Sequence, residues 1–308
     1  MAERTGDRHA PASLSQTTIK AEVSLEGVGL HTGNRSKIAF RPAPANTGIR
    51  FFRSDLPGTP MIPARLSFVV ATVRGTNLGL HEAKVHTVEH VLSACTGLGI
   101  DNLDILVTAN EPPIMDGSSM PFVQALLGAG IEHYSAPKRV LHFDSELRYE
   151  SGSAKYRAVP ADHFEIKATL IHNHPMMPPM TLTVRVDDTD AYIRELASAR
   201  TFCFEHEVDF LRSQGLAQGG SLENAIVIAK DKFLTTAEGL RFPDEFVRHK
   251  ILDLIGDLTL IGRPLFKMRI EAECLGHGHN IEFAKRLNEA AAKMRDKIPA
   301  ATGGSNDR

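Results

Sequence analysis

The 308-residue sequence lacks several features that would mark a particular class of protein. Its three cysteines, Cys95, Cys203 and Cys274, form no repeated spacing and cannot all pair, which is typical of reduced thiols in a cytosolic protein. There is no run of about eighteen apolar residues, so no transmembrane helix is predicted. The N-terminus is polar and has no apolar core, so we expect no secretory signal. Together these absences predict a cytoplasmic protein.

An excess of positive charge is also missing. The 35 Lys and Arg residues nearly balance the 37 Asp and Glu residues, and the formal net charge is −2. Nucleic-acid-binding proteins usually carry a basic excess, so we expect no nucleic-acid partner. The apolar fraction of 42% and the charged fraction of 23% are typical of globular proteins, and the length is sufficient for two domains.

The order of strand-like and helix-like segments predicts two related halves. In each half, short runs of alternating apolar and polar residues precede the main helix, which favours an α+β fold with small, mostly antiparallel sheets packed on helices. A Val-x-His sequence occurs at residues 88–90 and again at 247–249, at equivalent points of the two main helices. We expect duplicated domains that face each other across an active-site cleft. The predicted divisions are a flexible arm at 1–16, domain I at 17–134, domain II at 135–297 and a disordered tail at 298–308.

The most informative stretch is residues 246–257. Its apolar residues recur at intervals of three and four, which predicts an amphipathic helix. His249 and Asp253 are four residues apart, so their side chains project side by side from that helix. An imidazole and a carboxylate at this spacing can share a metal ion. A simple His–Asp pair on a helix surface is the alternative for this stretch alone.

A second candidate ligand lies in the first half, on a helix predicted from residue 85 to residue 95. Glu89 and His90 are adjacent there, so their side chains diverge by about 100°. His90, His249 and Asp253 together would supply two imidazoles and one carboxylate and leave one position open, as in catalytic zinc sites. Zinc would acidify a bound water, and Glu89 could accept the proton, which suits hydrolysis of an amide or ester. His90 alone could equally be a hydrogen-bonded core histidine.

Three further residues could complete such a site. His277, in a glycine-flanked turn predicted at residues 276–280, could act as the acid. Thr201 could donate its hydroxyl to the oxyanion, and Asp257 could orient His277 and keep it protonated. Each has an ordinary alternative from the residues alone, such as an exposed loop histidine or a threonine that bonds within a turn.

Several short motifs in order resemble the UDP-3-O-acyl-N-acetylglucosamine deacetylases, the zinc amidases of lipid A biosynthesis in Gram-negative bacteria. The resemblance covers roughly residues 17–290. The matching segments are residues 27–33, 41–48, 87–90, 97–102, 113–118, 173–175, 199–202, 219–221, 239–242 and 244–253. One departure lies at 276–280, where His279 stands at the usually apolar position of the family's Gly-His-x-Leu-Asn turn.

The resemblance implies two facing α+β domains with a metal between them, an acylated UDP-sugar as the substrate, and acetate as the leaving product. It leaves open zinc or ferrous iron as the native metal, and the length of the acyl chain. We expect a monomer that contacts a membrane surface only transiently, through the acyl chain. The implied residues are His90, His249 and Asp253 as metal ligands, Glu89 as base, His277 as acid, Thr201 at the oxyanion, Lys250 and Asp257 beside them in the active site, Phe202 at the nucleotide, Phe204 along the acyl passage and Lys155 at the diphosphate.

Two rival functions are considered. A metal-free module that binds carbohydrate or nucleotide could have the same fold, and metal analysis would distinguish it from an enzyme. A dehydratase fused to the deacetylase would need a further C-terminal hot-dog domain, and since the sequence stops at Arg308 we expect the deacetylase alone.

Overall fold

A computed structural model describes residues 15–138, 140–141, 144–263 and 265–295. The tail predicted at 298–308 lies outside these residues. So does the arm predicted at 1–16, except for its last two residues, which belong to the first strand. No helix in the described part of the chain is long and apolar enough to cross a membrane.

The first half of the described chain is built from short strands and two helices. Their bounds are β1 (Ser15–Ile19), β2 (Val23–Val28), β3 (Arg35–Pro42), β4 (Ile49–Arg53), β5 (Met61–Pro63), β6 (Val69–Ala71), β7 (Asn77–Leu80), β8 (Ala83–Val85), α1 (Glu89–Gly97), β9 (Leu103–Val107), α2 (Met120–Gly128) and β10 (Ile131–Pro137).

The second half has the same kinds of element and four helices. Their bounds are β11 (Val140–Leu141), β12 (Leu147–Ser151), β13 (Ala154–Pro160), β14 (Glu165–Leu170), β15 (Met180–Arg185), α3 (Thr189–Glu195), β16 (Phe202–Phe204), α4 (Glu205–Ser213), β17 (Ile226–Ile228), β18 (Phe233–Leu234), α5 (Glu245–Thr259), β19 (Leu265–Phe266), β20 (Met268–Glu273) and α6 (His277–Arg295).

Each half contains a five-stranded sheet, and the two sheets have the same topology. The strand orders are β2-β3-β9-β4-β5 and β12-β13-β20-β14-β15. In each sheet one pair is parallel, β4 with β9 and β14 with β20, and the other neighbours are antiparallel. The predicted α+β class with two related, mostly antiparallel sheets is therefore confirmed. The domain boundaries stay a prediction, and β10 runs across the one placed between residues 134 and 135.

The two main helices, α1 and α5, pack against each other. Every residue of α1 is buried, and every residue of α5 except Arg248 and Lys250 is buried. Helix α5 also contacts α6 and the strands β14 and β15. A helix covered on all sides must place its polar residues among partners inside the protein. The histidines and carboxylates of α1 and α5 must therefore find their partners inside the protein.

Gly256 sets how closely α1 and α5 approach. A Cβ atom at this position would lie 2.1 Å from the carbonyl oxygen of Glu89, so only glycine allows the observed backbone contact. Further along the same interface, the hydroxyls of Thr96 and Thr259 are 2.6 Å apart. The contact at Gly256 brings the first turn of α1 against the C-terminal part of α5.

Two helix starts differ from the sequence-based expectation. Helix α1 begins at Glu89 and not at Val85, because Val85 ends β8 and Thr87 has a φ of 52° that interrupts the helix path. Helix α6 begins at His277, where a turn was predicted. The hydrogen bond from Asn280 N to Gly276 O, at 2.8 Å, closes its first turn.

Candidate metal centre

Three buried side chains meet where α1 crosses α5. His90 comes from α1, and His249 and Asp253 come from α5, with one possible ligand atom from each within 4.8 Å of the others. The distance to Asp253 Oδ1 is 3.3 Å from His249 Nε2 and 3.6 Å from His90 Nε2. The two imidazole rings are nearly perpendicular, at 87°, with centroids 5.0 Å apart. The structure thus brings the three predicted ligands together.

The atoms in this cluster fit a bound cation. Asp253 Oδ1 is buried and has no hydrogen-bond partner among the described residues, although it faces two ring nitrogens. An unpaired buried carboxylate oxygen is costly, and a cation between the three donor atoms would remove that cost. Two imidazole nitrogens and one carboxylate oxygen form a donor set that suits zinc or ferrous iron.

Neighbouring groups orient the ligands. His249 Nδ1 lies 3.1 Å from the carbonyl oxygen of Ala199, so Nδ1 carries the proton and the Nε2 lone pair faces the cluster. Burial lowers the pKa of His249 to about 3, and the ring is neutral at pH 7, the form that binds a metal. Lys250 Nζ donates to Asp253 Oδ2 at 2.8 Å, which leaves Oδ1 directed at the rings.

Glu89 lies beside the cluster and is itself buried. Its Oε2 accepts a hydrogen bond from Thr76 N at 2.9 Å, and its Oε1 lies 3.9 Å from His277 Nε2. Burial raises the pKa of Glu89, and the charges of His277 and His90 oppose that rise. A carboxylate with a pKa moved toward neutrality is suited to accept and release a proton.

His277 also lies beside the cluster, next to Glu89. Its Nε2 is 3.8 Å from Asp253 Oδ2, and its Nδ1 is 3.1 Å from Asp257 Oδ2. Burial works to lower the pKa of His277, but the carboxylates of Asp257, Asp253 and Glu89 outweigh it and raise the pKa to about 9. The ring is therefore a cation at neutral pH in the metal-free protein.

The structure separates the two imidazoles of the first turn of α6. His279 Nδ1 is 3.0 Å from the hydroxyl of Tyr149, and its ring lies against the Tyr149 ring. Of these two histidines, His277 alone lies within 4 Å of both Glu89 and Asp253. The fold thus places His277, the residue that the sequence motif favoured, beside the cluster, and places His279 against Tyr149.

Lys250 and Phe202 connect the cluster to a neighbouring cavity. The Phe202 ring lies 6.2 Å from the His249 ring, and Lys250 Nζ lies 5.6 Å above the Phe202 ring. Phe202, Thr201 and Cys203 begin the wall of an apolar cavity of about 180 Å³. Side chains from α4 and from β17 and the segment before it continue this wall, among them Val208, Leu211, Leu222 and Val227.

Two other predicted substrate residues lie elsewhere. Phe204 is not part of this cavity wall, and its ring is surrounded by His172, His174 and His206 at centroid distances of 5.3, 5.3 and 5.6 Å. Lys155 is exposed on β13, and its Nζ lies 3.8 Å from Glu273 Oε2. Because side chains alternate along a strand, Lys155 points away from the face on which its neighbour Tyr156 reaches Asn280. Both assignments stay predictions.

Sequence reasoning missed several residues that hold the site. Thr76 contacts both Glu89 and Asp257, and Asn280 Nδ2 donates to Asp257 Oδ2 at 2.8 Å. The buried pair of Arg200 and Glu245, at 2.8 Å, fixes the loop that carries the Ala199 carbonyl. The order of residues signals none of these contacts, since they join distant parts of the chain. Arg200, Glu245 and Asn280 could have been noticed, because each stands inside one of the motifs described above.

A buried site of two histidines and one aspartate with an adjacent glutamate is typical of metal-dependent hydrolases. A match to a protein family identifies the kind of hydrolase. The model of the LpxC family, UDP-3-O-acyl N-acetylglycosamine deacetylase, matches residues 16–289, and the chain belongs to this deacetylase family.

Individual relatives agree with the family assignment. The chain is 43% identical over 277 residues to the UDP-3-O-acyl-N-acetylglucosamine deacetylase of Myxococcus xanthus, covering 90% of this chain and 87% of the relative. It is 43% identical over 304 residues to the protein of the same name from Anaeromyxobacter dehalogenans, covering 94% and 97%. The bifunctional enzyme LpxC/FabZ of Chlorobaculum tepidum is 40% identical over 310 residues, covering 92% of this chain and 66% of that enzyme.

Proposed function

We propose that this protein is a zinc-dependent amidohydrolase that removes the N-acetyl group from UDP-3-O-acyl-N-acetylglucosamine, in the cytoplasm, as a step of lipid A biosynthesis. Water adds to the amide carbon, the C–N bond breaks, and the products are acetate and UDP-3-O-acyl-glucosamine with a free amine. Family membership and the names of the relatives support the substrate.

One observation carries the metal dependence. Asp253 Oδ1 is buried without a hydrogen-bond partner and faces the Nε2 atoms of His90 and His249 at 3.6 and 3.3 Å. These residues would hold the ion. A bound zinc ion lowers the pKa of water and polarises an amide carbonyl.

The other side chains of the site move and stabilise charge. Glu89 accepts the proton of the attacking water, since its carboxylate is buried beside the cluster with a raised pKa. His277 enters the reaction as a cation and protonates the leaving amine, and Asp257 holds its Nδ1. Thr201 donates to the oxyanion, and the ammonium group of Lys250 adds positive charge beside Asp253.

The cavity beside the cluster supports the assignment of the acyl chain. It is lined mainly by apolar side chains and begins at Thr201 and Phe202, next to His249. An acyl chain gains stability there by leaving water. Phe202, which forms part of this cavity wall, would contact the nucleotide half of the substrate. We propose that the protein acts as a monomer and needs no nucleic-acid partner.

The experiment that tests the proposal measures metal content and deacetylation in one preparation. We expect about one zinc ion per chain and release of acetate from the acylated UDP-sugar, lost on chelation and restored by zinc. Glu89→Gln should keep the ion and lower kcat by roughly 10²–10⁴-fold. Glu82→Gln, at an exposed glutamate of the same half, is the matched control and should leave kcat unchanged.

The outcomes separate the enzyme from a binding module. A protein that binds the UDP-sugar, holds no metal and releases no acetate would overturn the proposal and favour the module. Full activity after complete removal of metal would reject the metal dependence alone. Repeating the assay with acyl chains of different length would then measure how deep the passage is.

A further inference from the structure

One threonine contacts both carboxylates that flank the metal cluster. Thr76 is fully buried and directly precedes β7. Its backbone N–H donates to Glu89 Oε2 at 2.9 Å, and its hydroxyl donates to Asp257 Oδ1. Its carbonyl oxygen accepts the N–H of Val88, the residue before α1, at 3.1 Å. All three polar groups of Thr76 are therefore used inside the site.

The hydroxyl of Thr76 completes the set of donors around Asp257. On the other carboxylate oxygen, Oδ2, Asn280 Nδ2 donates at 2.8 Å and His277 Nδ1 lies at 3.1 Å. Because a carboxylate is planar, donors on both oxygens prevent it from rotating. Without the hydroxyl, Oδ1 would be buried and unpaired, and Asp257 would turn toward another donor. The Nδ1 contact that orients His277 would then loosen.

The same residue connects the two halves of the protein. Thr76 and Glu89 belong to the first half, whereas Asp257 lies 181 positions after Thr76, on α5. A shift of Thr76 would therefore move Glu89 relative to His277. Their facing atoms, Glu89 Oε1 and His277 Nε2, are 3.9 Å apart.

We propose that Thr76 is a positioning residue that holds Glu89 and, through Asp257, His277 at the separation that proton transfer requires. This inference rests on the proposed function. The hydrogen bonds of Thr76 go to Glu89, Asp257 and Val88, and to none of the candidate metal ligands. Its effect must pass through the two carboxylates.

The direct test is Thr76→Val, which removes the hydroxyl but keeps the shape and the backbone N–H. We expect kcat for deacetylation to fall by roughly 10–100-fold, as for other residues that orient catalytic groups, with KM within about twofold and the metal content unchanged. Thr76→Ser retains the hydroxyl and should restore kcat to within about threefold. If Thr76→Val folds poorly, Thr76→Ala removes the same hydroxyl without overfilling the site.

Thr96→Val is the matched control. Thr96 lies at the same α1–α5 interface, is buried, and also loses a hydroxyl contact, since its Oγ1 is 2.6 Å from Thr259 Oγ1. Thr259 keeps its bonds to Ile255 O and Leu92 O. We expect this variant to lose stability but to keep kcat, which would separate positioning from a general weakening of the interface.

A double-mutant cycle identifies the route of the effect. In an Asp257→Asn background, Thr76→Val should change kcat much less than in the unmodified protein, because both changes break one contact. A crystal structure of the metal-free Thr76→Val protein should show the Asp257–His277 contact longer than 3.1 Å. If the unmodified protein is active and Thr76→Val has the same kcat, the role of Thr76 is overturned. The same holds if the effects of Thr76→Val and Asp257→Asn on kcat are strictly additive. An unmodified protein without deacetylase activity would instead overturn the proposed function.

Discussion

The close contact between α1 and α5 at Gly256 predicts a large effect from adding one methyl group. In Gly256→Ala, the new Cβ would lie 2.1 Å from the carbonyl oxygen of Glu89. The two backbones must then separate by roughly 1.3 Å to reach an ordinary contact distance of about 3.4 Å. That movement carries Glu89 and His90 away from His249 and Asp253.

Gly256→Ala should therefore lower both the stability of the protein and its catalytic rate. Overfilling a packed interface lowers the free energy of unfolding by about 1–3 kcal/mol. A displacement of about 1 Å between catalytic groups can lower the rate by about 10²-fold. We therefore expect weaker zinc binding and a kcat reduced by about two orders of magnitude. The measurements are chemical denaturation of the metal-free protein, zinc titration, and the deacetylation assay.

The control is Gly128→Ala, at the last residue of α2, where a Cβ would meet nothing within 4 Å. Its zinc affinity and kcat should match those of the unmodified protein, and its free energy of unfolding should be equal or higher by up to about 1 kcal/mol, since alanine is favoured over glycine in a helix. If Gly256→Ala also binds zinc and turns over like the unmodified protein, the crossing of α1 and α5 does not set the geometry of the site, and the reasoning is refuted.

Three further predictions follow from buried charge. Arg200→Met leaves the carboxylate of Glu245 buried without its charged partner, and should lower the free energy of unfolding by about 3–5 kcal/mol. Chemical denaturation measures this, and an unchanged free energy of unfolding would mean that the pair contributes nothing to stability. The pKa of His277 is raised from 6.5 to about 9, so its protonation stabilises the metal-free fold fully below about pH 6.5, and this stability is lost as the pH rises through about 9. Chemical denaturation with a chelator present, at about pH 6 and about pH 9.5, should show that loss of stability. In Asp257→Asn the difference in stability between the two pH values should be smaller, because Asp257 contributes most to raising the pKa of His277. Adding zinc to the protein from which metal has been removed should raise its melting temperature, since an ion that binds the folded state stabilises it. An unchanged melting temperature would count against the metal site.

The candidate ligands on α5, His249 and Asp253, could be predicted because their arrangement is local. Residues four apart on a helix lie on one face whatever surrounds them, and the apolar periodicity of 246–257 indicated the helix itself. The α+β class could be predicted for the same reason, since alternation and helical spacing are read from neighbouring residues. The α6 start was missed, because glycines on both sides of His277 favour a turn in the sequence, although the chain forms a helix there.

Contacts between distant segments could not be predicted in this way. Nothing in the sequence around residue 76 indicates that its hydroxyl meets a carboxylate 181 positions later. The contact of His279 with Tyr149, the requirement for glycine at 256, and the exposure of Lys155 away from the cluster have the same origin. Each depends on which surfaces pack against each other.

The sequence by itself determined the two helices, the residue types of the metal cluster and the family to which the chain is similar, because these depend on spacing along the chain and on short motifs. Only the tertiary structure decided that His90 lies within reach of His249 and Asp253, and that Thr76 joins Glu89 to Asp257. The physical reason is that the approach of α1 to α5 is set by close packing at Gly256, a contact between backbones that no local pattern encodes.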